Sequence, residues 1–341
     1  MGQINYKLCT ICHTYNQSLY IEETFNGFCM QETDFPFVCA IIDDCSTDGE
    51  PEIIQNYLQE HFDLEDKSIV RNEETDDYVL TFVRHKTNVN CFFVVLYLKY
   101  NHYSIFKAKR SYISEWLANV KYCALCEGDD YWIDPHKLQK QVDFLDNNTV
   151  YSCCVHEYKE WEEEKKCYRP HQLVYLKDFY GEGLSLGIDE YVKCIFFTKT
   201  LTVVYRTESL NNSKYNQYAT RFDMTMFYAL ATQGQIYLMN QIMGVYRIND
   251  GGVTSKKNAD GFRQRTLPYL FSLCEVEKTK QSQKFVYFNL KPQVLYILLK
   301  RRDLLLMCYK YLNLKYNLGL LLQVFIISFD IIRTKYKILI K

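Results

Sequence analysis

Short apolar runs alternate with amphipathic segments along this chain, and the alternation limits the folds that it can adopt. Runs rich in β-branched and aromatic residues occupy positions 7–13, 37–42, 79–84, 92–98 and 122–126. Apolar residues recur at helical spacing at positions 19–30, 51–62 and 135–147. Because strands that alternate with helices are joined by crossover connections, we predict an α/β protein with a mostly parallel central sheet flanked by helices.

The second half of the chain continues this pattern and then changes in character. Further strands are predicted at positions 150–158, 195–205 and 236–246, with a short helix at 222–233. From Lys284 to the end, the chain carries 11 Lys and Arg residues against 2 Asp and Glu residues. We therefore predict a sheet-containing domain at residues 1–255 and a helical, basic C-terminal extension at residues 256–341.

The composition is that of a globular protein with an acidic body. Of the 341 residues, 48% are hydrophobic and 24% are charged, and 39 acidic residues outnumber 29 basic ones before Lys284. A nucleic-acid-binding protein typically carries a basic stripe with interleaved aromatic residues. Since the sequence has no such stripe across the predicted sheet, we expect no nucleic acid partner.

The 14 cysteines favour a reduced cytosolic protein over a disulfide-bonded or zinc-binding one. Cys9 and Cys12 share one predicted strand, and Cys123 and Cys126 share another. Residues three positions apart in a strand point to opposite faces, so neither pair forms a natural chelate. Residues 1–20 carry no charged-then-apolar signal segment. We expect a cytoplasmic location, with the inner face of the plasma membrane as the alternative.

The end of the chain has two possible roles. Residues 318–329 are apolar apart from Gln323 and Ser328, and they are too few to span a bilayer. Four basic residues follow: Arg333, Lys335, Lys337 and Lys341. One interpretation is an amphipathic helix within residues 318–341 that lies on an anionic membrane surface. The other is a helix that packs on the protein body or on another subunit.

Polar motifs follow three of the predicted strands. Thr14-Tyr15-Asn16 closes the first, Asp43-Asp44-Cys45-Ser46 closes the second, and Glu127-Gly128-Asp129-Asp130 follows the run at 122–126. Carboxyl ends of parallel strands meet at one edge of a sheet, so these motifs can share a pocket. Three carboxylates in four positions repel one another unless a cation joins them, although Gly-Asp-Asp also suits an ordinary turn.

In this order, the three motifs resemble the signature of the family 2 glycosyltransferases, which have the GT-A fold of the nucleotide-diphospho-sugar transferases. The resemblance extends over residues 7–255 and implies that this part is the GT-A domain. It implies that Thr14, Tyr15, Asn16, Asp43, Asp44 and Ser46 bind the nucleobase and ribose of a sugar nucleotide. It also implies that Glu127 and Asp129 support the donor, and that Asp130, with Asp129, holds Mg²⁺ or Mn²⁺ at the diphosphate.

Two later segments extend the resemblance. Phe222-Asp223 resembles the segment with the catalytic base, which would make Asp223 the base; an Asp at a helix start is also a common N-cap. The segment from Tyr246 to Gly252 resembles the motif that closes the catalytic domain, where Arg247 would approach the diphosphate. Asn249 stands where many relatives carry a histidine that assists the metal, which weakens the case for a metal ligand here.

The resemblance implies a metal-dependent, inverting glycosyltransferase of the type that assembles bacterial surface polysaccharides. The donor would be a nucleotide-diphosphate sugar, with a UDP-sugar expected, and the acceptor a hydroxyl of a glycan or a lipid-linked molecule. One alternative is a non-catalytic relative that binds a sugar nucleotide. The other is a nucleotidyltransferase, which would carry a glycine-rich phosphate loop after the first strand, where Thr14-Tyr15-Asn16-Gln17 has no glycine.

Overall fold

The computed structural model of the chain describes residues 4–170, 181–193, 199–219, 221–252 and 259–324. The chain divides into two compact units. The first comprises Met1–Leu186, Phe197–Asn212 and Gln233–Asn249, and the second comprises Gly187–Phe196, Ser213–Thr232 and Asp250–Lys341. The second unit therefore takes two segments from the region before residue 255. Which residues make up the catalytic domain stays a prediction.

A large sheet forms the centre of the first unit. Its thirteen strands are β1 (Leu8–Thr14), β2 (Phe37–Asp43), β3 (Phe62–Asp63), β4 (Arg71–Glu74), β5 (Tyr78–His85), β6 (Cys91–Leu98), β7 (Tyr122–Leu125), β8 (Tyr131–Trp132), β9 (Tyr151–Glu162), β10 (Cys167–Tyr168), β11 (Gly183–Leu186), β12 (Val204–Arg206) and β13 (Gln235–Ile248). The main strand order is β11-β13-β9-β12-β7-β1-β2-β6-β5-β3. Strand β4 pairs with β5, β8 with β13, and β10 with β9.

Helices accompany the sheet and make up most of the second unit. Those of the described residues are α1 (Ile21–Cys29), α2 (Glu50–His61), α3 (Ser114–Leu117), α4 (Lys137–Asn147), α5 (Ile188–Tyr191), α6 (Thr207–Asn212), α7 (Asp223–Gln233), α8 (Ala259–Glu277), α9 (Lys280–Leu290), α10 (Val294–Lys300) and α11 (Asp303–Tyr311). Residues 314–324 are also helical. No helix of the described residues combines the length and the apolar character needed to cross a membrane.

The parallel centre of the sheet confirms the predicted fold class. Strands β7, β1, β2 and β6 pair in parallel, in that order. Every residue of β2 is buried, as expected of a strand that is covered on both faces. On either side of this centre, β12 and β5 pair antiparallel with β7 and β6. The apolar pattern did not distinguish these antiparallel strands, because strand direction leaves no mark on short apolar runs.

Aromatic packing joins α1 to the sheet beneath the acidic motif. The predicted apolar face of this helix is confirmed, since Ile21, Phe25 and Phe28 are all fully buried. The ring of Phe25 lies 5.2 Å from that of Phe93 on β6, and the ring of Phe28 lies 4.9 Å from that of Trp132 on β8. Each such pair contributes roughly 1 kcal/mol beyond the burial of its apolar area.

One predicted strand is shorter in the structure than in the pattern. The apolar run at 195–205 predicted a continuous strand, but β12 begins only at Val204 and Thr200–Thr202 form a 3-10 turn. Residues 194–198 lie outside the described residues. The hydroxyl of Thr200 hydrogen-bonds the carboxylate of Glu127, a contact that holds this turn beside the acidic motif.

A buried lysine begins α4. Lys137 is fully buried, and its ammonium nitrogen has no hydrogen-bond partner among the described residues. The nitrogen lies 4.0 Å from the centroid of the Trp132 ring, a favourable position for a cation over an aromatic face. Burial nevertheless lowers the pKa of Lys137 to about 7, because the free-energy cost of removing the charge from water exceeds the stabilisation that one aromatic ring provides.

We predict that Lys137→Met removes a pH dependence of stability. An unfolded lysine has a pKa near ~10.4, whereas that of folded Lys137 is about 7. Between these values the unfolded chain binds more protons than the folded one. The free energy of unfolding of the parent should therefore rise with pH, by at most about 1.4 kcal/mol per pH unit. The stability advantage of Lys137→Met over the parent, measured as the difference between their urea-unfolding midpoints, should shrink as the pH rises through this window. A difference that stays constant with pH would contradict the prediction.

Candidate active site

The carboxyl end of β1 joins the second strand-end motif to the acidic one. The backbone N–H of Asp44 donates to the carbonyl of Thr14 at 3.0 Å. On the other side of the strand, the N–H of Gly128 donates to the carbonyl of His13 at 3.1 Å. The structure thus brings the three motifs to one edge of the sheet.

A buried carboxylate, that of Glu50, holds the first two motifs together. It accepts hydrogen bonds from the backbone N–H of Gln17 and the hydroxyl of Ser46, both at 2.8 Å, and it contacts the hydroxyl of Thr14. Burial raises the pKa of Glu50, and these donors act against that shift. Glu50 was not predicted as a site residue, because an acidic residue in the first turn of a helix is unremarkable in sequence.

Asn16 and Ser46 connect the same two loops. Asn16 has a positive φ of 54°, a conformation that asparagine tolerates better than most residues. Its N–H donates to the hydroxyl oxygen of Ser46 at 2.9 Å, and its side-chain oxygen accepts from the N–H of Thr47 at 2.8 Å. Between these fixed residues, the side chain of Tyr15 remains at the surface, with 47% of the residue exposed. Its ring is therefore available for a ligand.

Asp43 and Asp44 are adjacent and buried, but their environments differ. Burial raises the pKa of Asp43 to about 6, and its carboxylate accepts from the N–H of Ser46 at 3.2 Å. Burial acts in the same direction on Asp44, yet its pKa is lowered because the ammonium of Lys109 lies 2.9 Å away and two N–H groups also donate to it. These are the backbone N–H groups of His102 and Tyr103, at 2.7 and 3.0 Å.

Asp44 consequently anchors the segment 102–109 beside the end of β2. Lys109 was not predicted as a site residue, since a lysine in a basic run resembles any surface lysine. The signal that could have identified it is indirect: a buried carboxylate requires a cation or several donors, and Asp44 was the second member of an acidic pair.

The acidic motif rests on a threonine of α1. Thr24 is fully buried, and its hydroxyl lies 2.7 Å from the carbonyl oxygen of Asp130 and 2.9 Å from that of Gly128. This hydroxyl holds the backbone of the turn from below. Thr24 was not predicted as a site residue, because it lies on the buried face of a helix, where the apolar pattern predicts only packing.

The carboxylates of the motif each have a separate partner. The backbone N–H of Arg247 donates to Asp130 at 2.8 Å, and the side-chain amide of Asn249 donates to Asp129 at 2.9 Å. Glu127 accepts from the hydroxyl of Thr200. Asn249, where a histidine would be more usual, thus orients Asp129 through a hydrogen bond.

Burial of these carboxylates is only partly compensated. Asp130 is 2% exposed, and burial raises its pKa well above the ordinary value, with the neighbouring Asp129 adding to the shift. Burial also raises the pKa of Asp129, against the effect of Asn249. Asp130 is buried and the adjacent Asp129 is partly exposed, and two such neighbouring carboxylates with raised pKa values form an environment that a cation would stabilise.

The donor set of this motif fits a hard divalent cation that is held mainly by its substrate. Carboxylate oxygens are the ligands that Mg²⁺ and Mn²⁺ prefer. In the described part of the chain, no three His, Cys, Asp or Glu side chains lie close enough together to form a protein-only metal cage. Asp130 and Asp129 would therefore hold the cation with phosphate oxygens and water as the remaining ligands, an arrangement typical of Mg²⁺.

Arg247 is committed to protein contacts. Its guanidinium forms salt bridges with Glu163, at 3.0 Å, and with Glu23, and its Nε donates to the carbonyl of Asp129 at 2.9 Å. The rings of Tyr20 and Tyr131 lie 4.5 and 5.2 Å from it. The geometry makes Arg247 a support of the acidic motif, and its predicted approach to a diphosphate stays a prediction.

Asp223 belongs to the second unit, where it is the first residue of α7. The side chain is exposed, and its carboxylate accepts from the N–H of Met224 at 2.7 Å. The helix therefore begins at Asp223 itself, so this residue occupies the first helical position and not the N-cap position that the sequence suggested as an alternative. Its role as a base stays a prediction.

Comparison with known proteins supports the resemblance. Residues 9–79, which contain the first two motifs and Glu50, match the model of glycosyl transferase family 2. Over these residues the chain is similar to this family, and the resemblance inferred from the motifs is thereby confirmed.

Proteins similar to this chain occur in several bacteria. The uncharacterized protein Rv1520 of Mycobacterium tuberculosis is 31% identical over 247 residues, which are 70% of this chain and 58% of that protein. The chain thus spans only 58% of the length of this curated relative. The putative teichuronic acid biosynthesis glycosyltransferase TuaG of Bacillus subtilis is 24% identical over 248 residues, 72% of this chain and 81% of TuaG.

Solved structures confirm the GT-A fold. Residues 1–349 of S. aureus TarS, solved in complex with UDP-GlcNAc, superpose with a TM-score of 0.54 at 15% identity, over 92% of this chain and 79% of that one. The mannosyltransferase PcManGT from Pyrobaculum calidifontis, in complex with GDP-Man and Mn²⁺, gives a TM-score of 0.50 at 12% identity, over 97% and 83% of the two chains.

A glycine permits the close approach of the first and third motifs. A Cβ atom added to Gly128 would lie 2.3 Å from the hydroxyl oxygen of Thr14 and 2.4 Å from the side-chain oxygen of Gln17. The Cβ of Thr14 would be only 2.7 Å away. Any side chain at position 128 must therefore displace Thr14, which contacts Glu50.

We predict that Gly128→Ala destabilises the protein by about 1–3 kcal/mol, the usual cost of forcing an extra methyl group into a packed site. The matched control is Gly261→Ala, since a Cβ at Gly261 in α8 meets nothing within 4 Å. That change should be neutral, or stabilising by up to about 1 kcal/mol, because alanine favours a helix over glycine. Thermal unfolding of both variants measures the difference, and equal midpoints would show that the contact at Gly128 relaxes without cost.

Proposed function

We propose that this chain is a metal-dependent, inverting glycosyltransferase. It transfers a sugar from a nucleoside diphosphate donor, taken to be a UDP-sugar, to a hydroxyl of a glycan or lipid-linked acceptor. The observation that carries the proposal is the edge of the sheet at β1, where a loop pair suited to a nucleoside adjoins two neighbouring carboxylates suited to a cation. The TarS complex with UDP-GlcNAc and the name of TuaG support this donor class and a cell-surface glycan acceptor.

The donor nucleoside would lie against the loops that Glu50 joins. The exposed ring of Tyr15 can stack on a base, and Asn16 and Ser46 fix the loops on either side of it. Of the two buried aspartates, Asp43 has fewer protein donors, so we assign the direct contact with the nucleoside to Asp43. Asp44 would act through the segment 102–109 that it anchors.

The diphosphate would lie at the acidic motif. Asp130, oriented by the N–H of Arg247, and Asp129, oriented by Asn249, would hold Mg²⁺ or Mn²⁺. When bound, such a cation supplies Lewis-acid stabilisation of the charge that develops on the leaving diphosphate. Glu127, held by Thr200, would contact donor hydroxyls or water molecules.

Asp223 would supply the base for the transfer step. The acceptor oxygen forms a bond to the anomeric carbon while the bond from that carbon to the diphosphate oxygen breaks. The configuration inverts because the acceptor oxygen attacks the face opposite the departing diphosphate. The hydroxyl proton must leave in the same step, and a single carboxylate can take it. Asp223 is an exposed carboxylate at a helix start, and so it is accessible to an acceptor.

The test is a panel of nucleotide sugars assayed for metal-dependent release of nucleoside diphosphate, followed by transfer assays. Asp130→Asn should reduce turnover at least about a hundredfold, because the cation loses its main ligand. Asp223→Asn should keep donor affinity but reduce transfer by about 10² or more. Asp260→Asn is the control, since Asp260 also lies in the first turn of a helix, α8, in the second unit.

Two results would contradict the assignment. Transfer by Asp223→Asn at the parent rate would show that another group is the base. Donor binding without turnover of any sugar nucleotide, in the parent as in Asp130→Asn, would support the non-catalytic alternative.

We also propose that the C-terminal extension contacts an anionic membrane surface. Leu314, Leu318, Leu321 and Leu322 lie on one face of the helical residues 314–324, and each is 54–73% exposed. Lys315 is exposed beside them, and residues 325–341, which lie outside the described residues, add four Lys and Arg by sequence. Exposed leucines next to basic residues are typical of helices that bind anionic bilayers.

Replacing Leu318, Leu321 and Leu322 together by serine should lower partitioning onto phosphatidylglycerol vesicles by about tenfold or more, since each buried leucine contributes on the order of 1 kcal/mol or more. Val89→Ser is the control, because Val89 is 64% exposed in the first unit. Sedimentation with anionic and neutral vesicles measures the effect. Unchanged partitioning, or loss of self-association in place of vesicle binding, would assign this face to protein packing.

A further inference from the structure

A lysine close to the acidic motif has no carboxylate partner in the part of the chain that the structure describes. Lys199 precedes the 3-10 turn whose Thr200 hydrogen-bonds Glu127, and it is partly exposed. Its ammonium nitrogen lies 4.1 Å from the centroid of the Tyr246 ring. Within the described residues this ammonium forms no hydrogen bond and no salt bridge.

Three other cations around this edge of the sheet are paired with carboxylates. Arg247 binds Glu163 and Glu23, Lys166 also binds Glu163, and Lys109 binds Asp44. Their charges are therefore already balanced by carboxylates. Lys199 differs, because an aromatic ring attracts a cation but satisfies little of the hydrogen-bonding capacity of its three N–H groups.

Two short connections tie Lys199 to the acidic motif. Tyr246, whose ring holds the ammonium, is the residue before Arg247, and the N–H of Arg247 orients Asp130. On the other side, Thr200 follows Lys199 directly and binds Glu127. The positive charge of Lys199 accordingly acts on the carboxyl of Asp130, where it opposes the rise in pKa that burial causes.

We propose that Lys199 binds the diphosphate of the nucleotide donor. The inference rests on the proposed function and adds to it a phosphate-binding residue outside the acidic motif. A lysine ammonium has three N–H donors and a compact charge, and both suit phosphate oxygens. As the sugar departs, the same charge would help to stabilise the diphosphate that remains.

The electrostatics of the pair predict opposite effects on metal and nucleotide. Without a nucleotide, Lys199 and a divalent cation at Asp130 carry like charges and repel each other. With a diphosphate present, both are attracted to the same anion. Lys199→Met should therefore bind Mn²⁺ alone as tightly as the parent or more tightly, while binding UDP more weakly in the presence of Mn²⁺.

Calorimetric titration with Mn²⁺ alone, and then with UDP and with uridine at saturating Mn²⁺, tests the inference. Lys199→Met should weaken UDP binding about ten- to hundredfold, the effect of losing a charge-assisted hydrogen bond. Uridine, which has no phosphate, should bind as before. Lys199→Arg should recover most of the UDP affinity, since it restores the charge.

Lys121→Met is the matched control. Lys121 also lies beside a tyrosine ring, 5.3 Å from that of Tyr122, but it precedes β7 at the amino end of that strand. Its ammonium is paired with Asp146. This variant should bind Mn²⁺, UDP and uridine like the parent.

The outcomes separate this inference from the proposed function. Unchanged UDP affinity in Lys199→Met would overturn the inference, as would an equal loss for UDP and uridine, which would indicate a general disturbance of the site. A parallel loss of Mn²⁺ and UDP affinity would make Lys199 a structural support of the acidic motif. If the parent binds neither UDP nor GDP, the proposed function falls, and the inference falls with it.

Discussion

Two consecutive carbonyl groups at the end of β1 organise the candidate site. Successive carbonyls of a strand point to opposite sides, so His13 and Thr14 can serve different neighbours. One receives the N–H of Gly128 and the other that of Asp44, and these bonds bring together motifs that are distant in sequence. Because β2 and β7 are parallel neighbours of β1, the loops that follow these two strands lie on either side of its carboxyl end.

The cost of burying carboxylates explains most of the remaining geometry. Glu50 is stabilised by donors from two loops, and Asp44 by Lys109 together with two backbone N–H groups. Asp130 receives one N–H, from Arg247, and it stays the least compensated of these groups. Asp44 is therefore paired with a cation, whereas Asp43, Glu50 and Asp130 keep raised pKa values. The ammonium of Lys199, which forms no salt bridge in the part of the chain that the structure describes, lies close to the acidic motif. A bound cation and a diphosphate would balance the charges of the acidic motif and of Lys199.

The apolar pattern of the sequence predicted the strands and helices well, but it predicted single site residues poorly. The parallel centre of the sheet and the helices at 19–30, 135–147 and 222–233 followed from apolar spacing, since burial on a strand or helix face imposes a period. Glu50, Thr24 and Lys109 were not predicted as site residues. A residue that acts through one tertiary contact leaves no periodic pattern in the sequence. The antiparallel pairing on either side of the parallel centre was not predicted, because the direction of a strand is set by the geometry of its connections.

The strand-end motifs, their order and the resemblance to the family 2 glycosyltransferases can be read from the sequence alone. They need no structure because each motif is a short run of residue types that follows an apolar strand. The opposite pKa shifts of Asp43 and Asp44, the salt bridges of Arg247 with two glutamates, and the lack of such a partner for Lys199 among the described residues emerge only in the folded chain. The physical reason is that burial and pairing depend on neighbours that are distant in the chain, and these neighbours become known only once the sheet has formed.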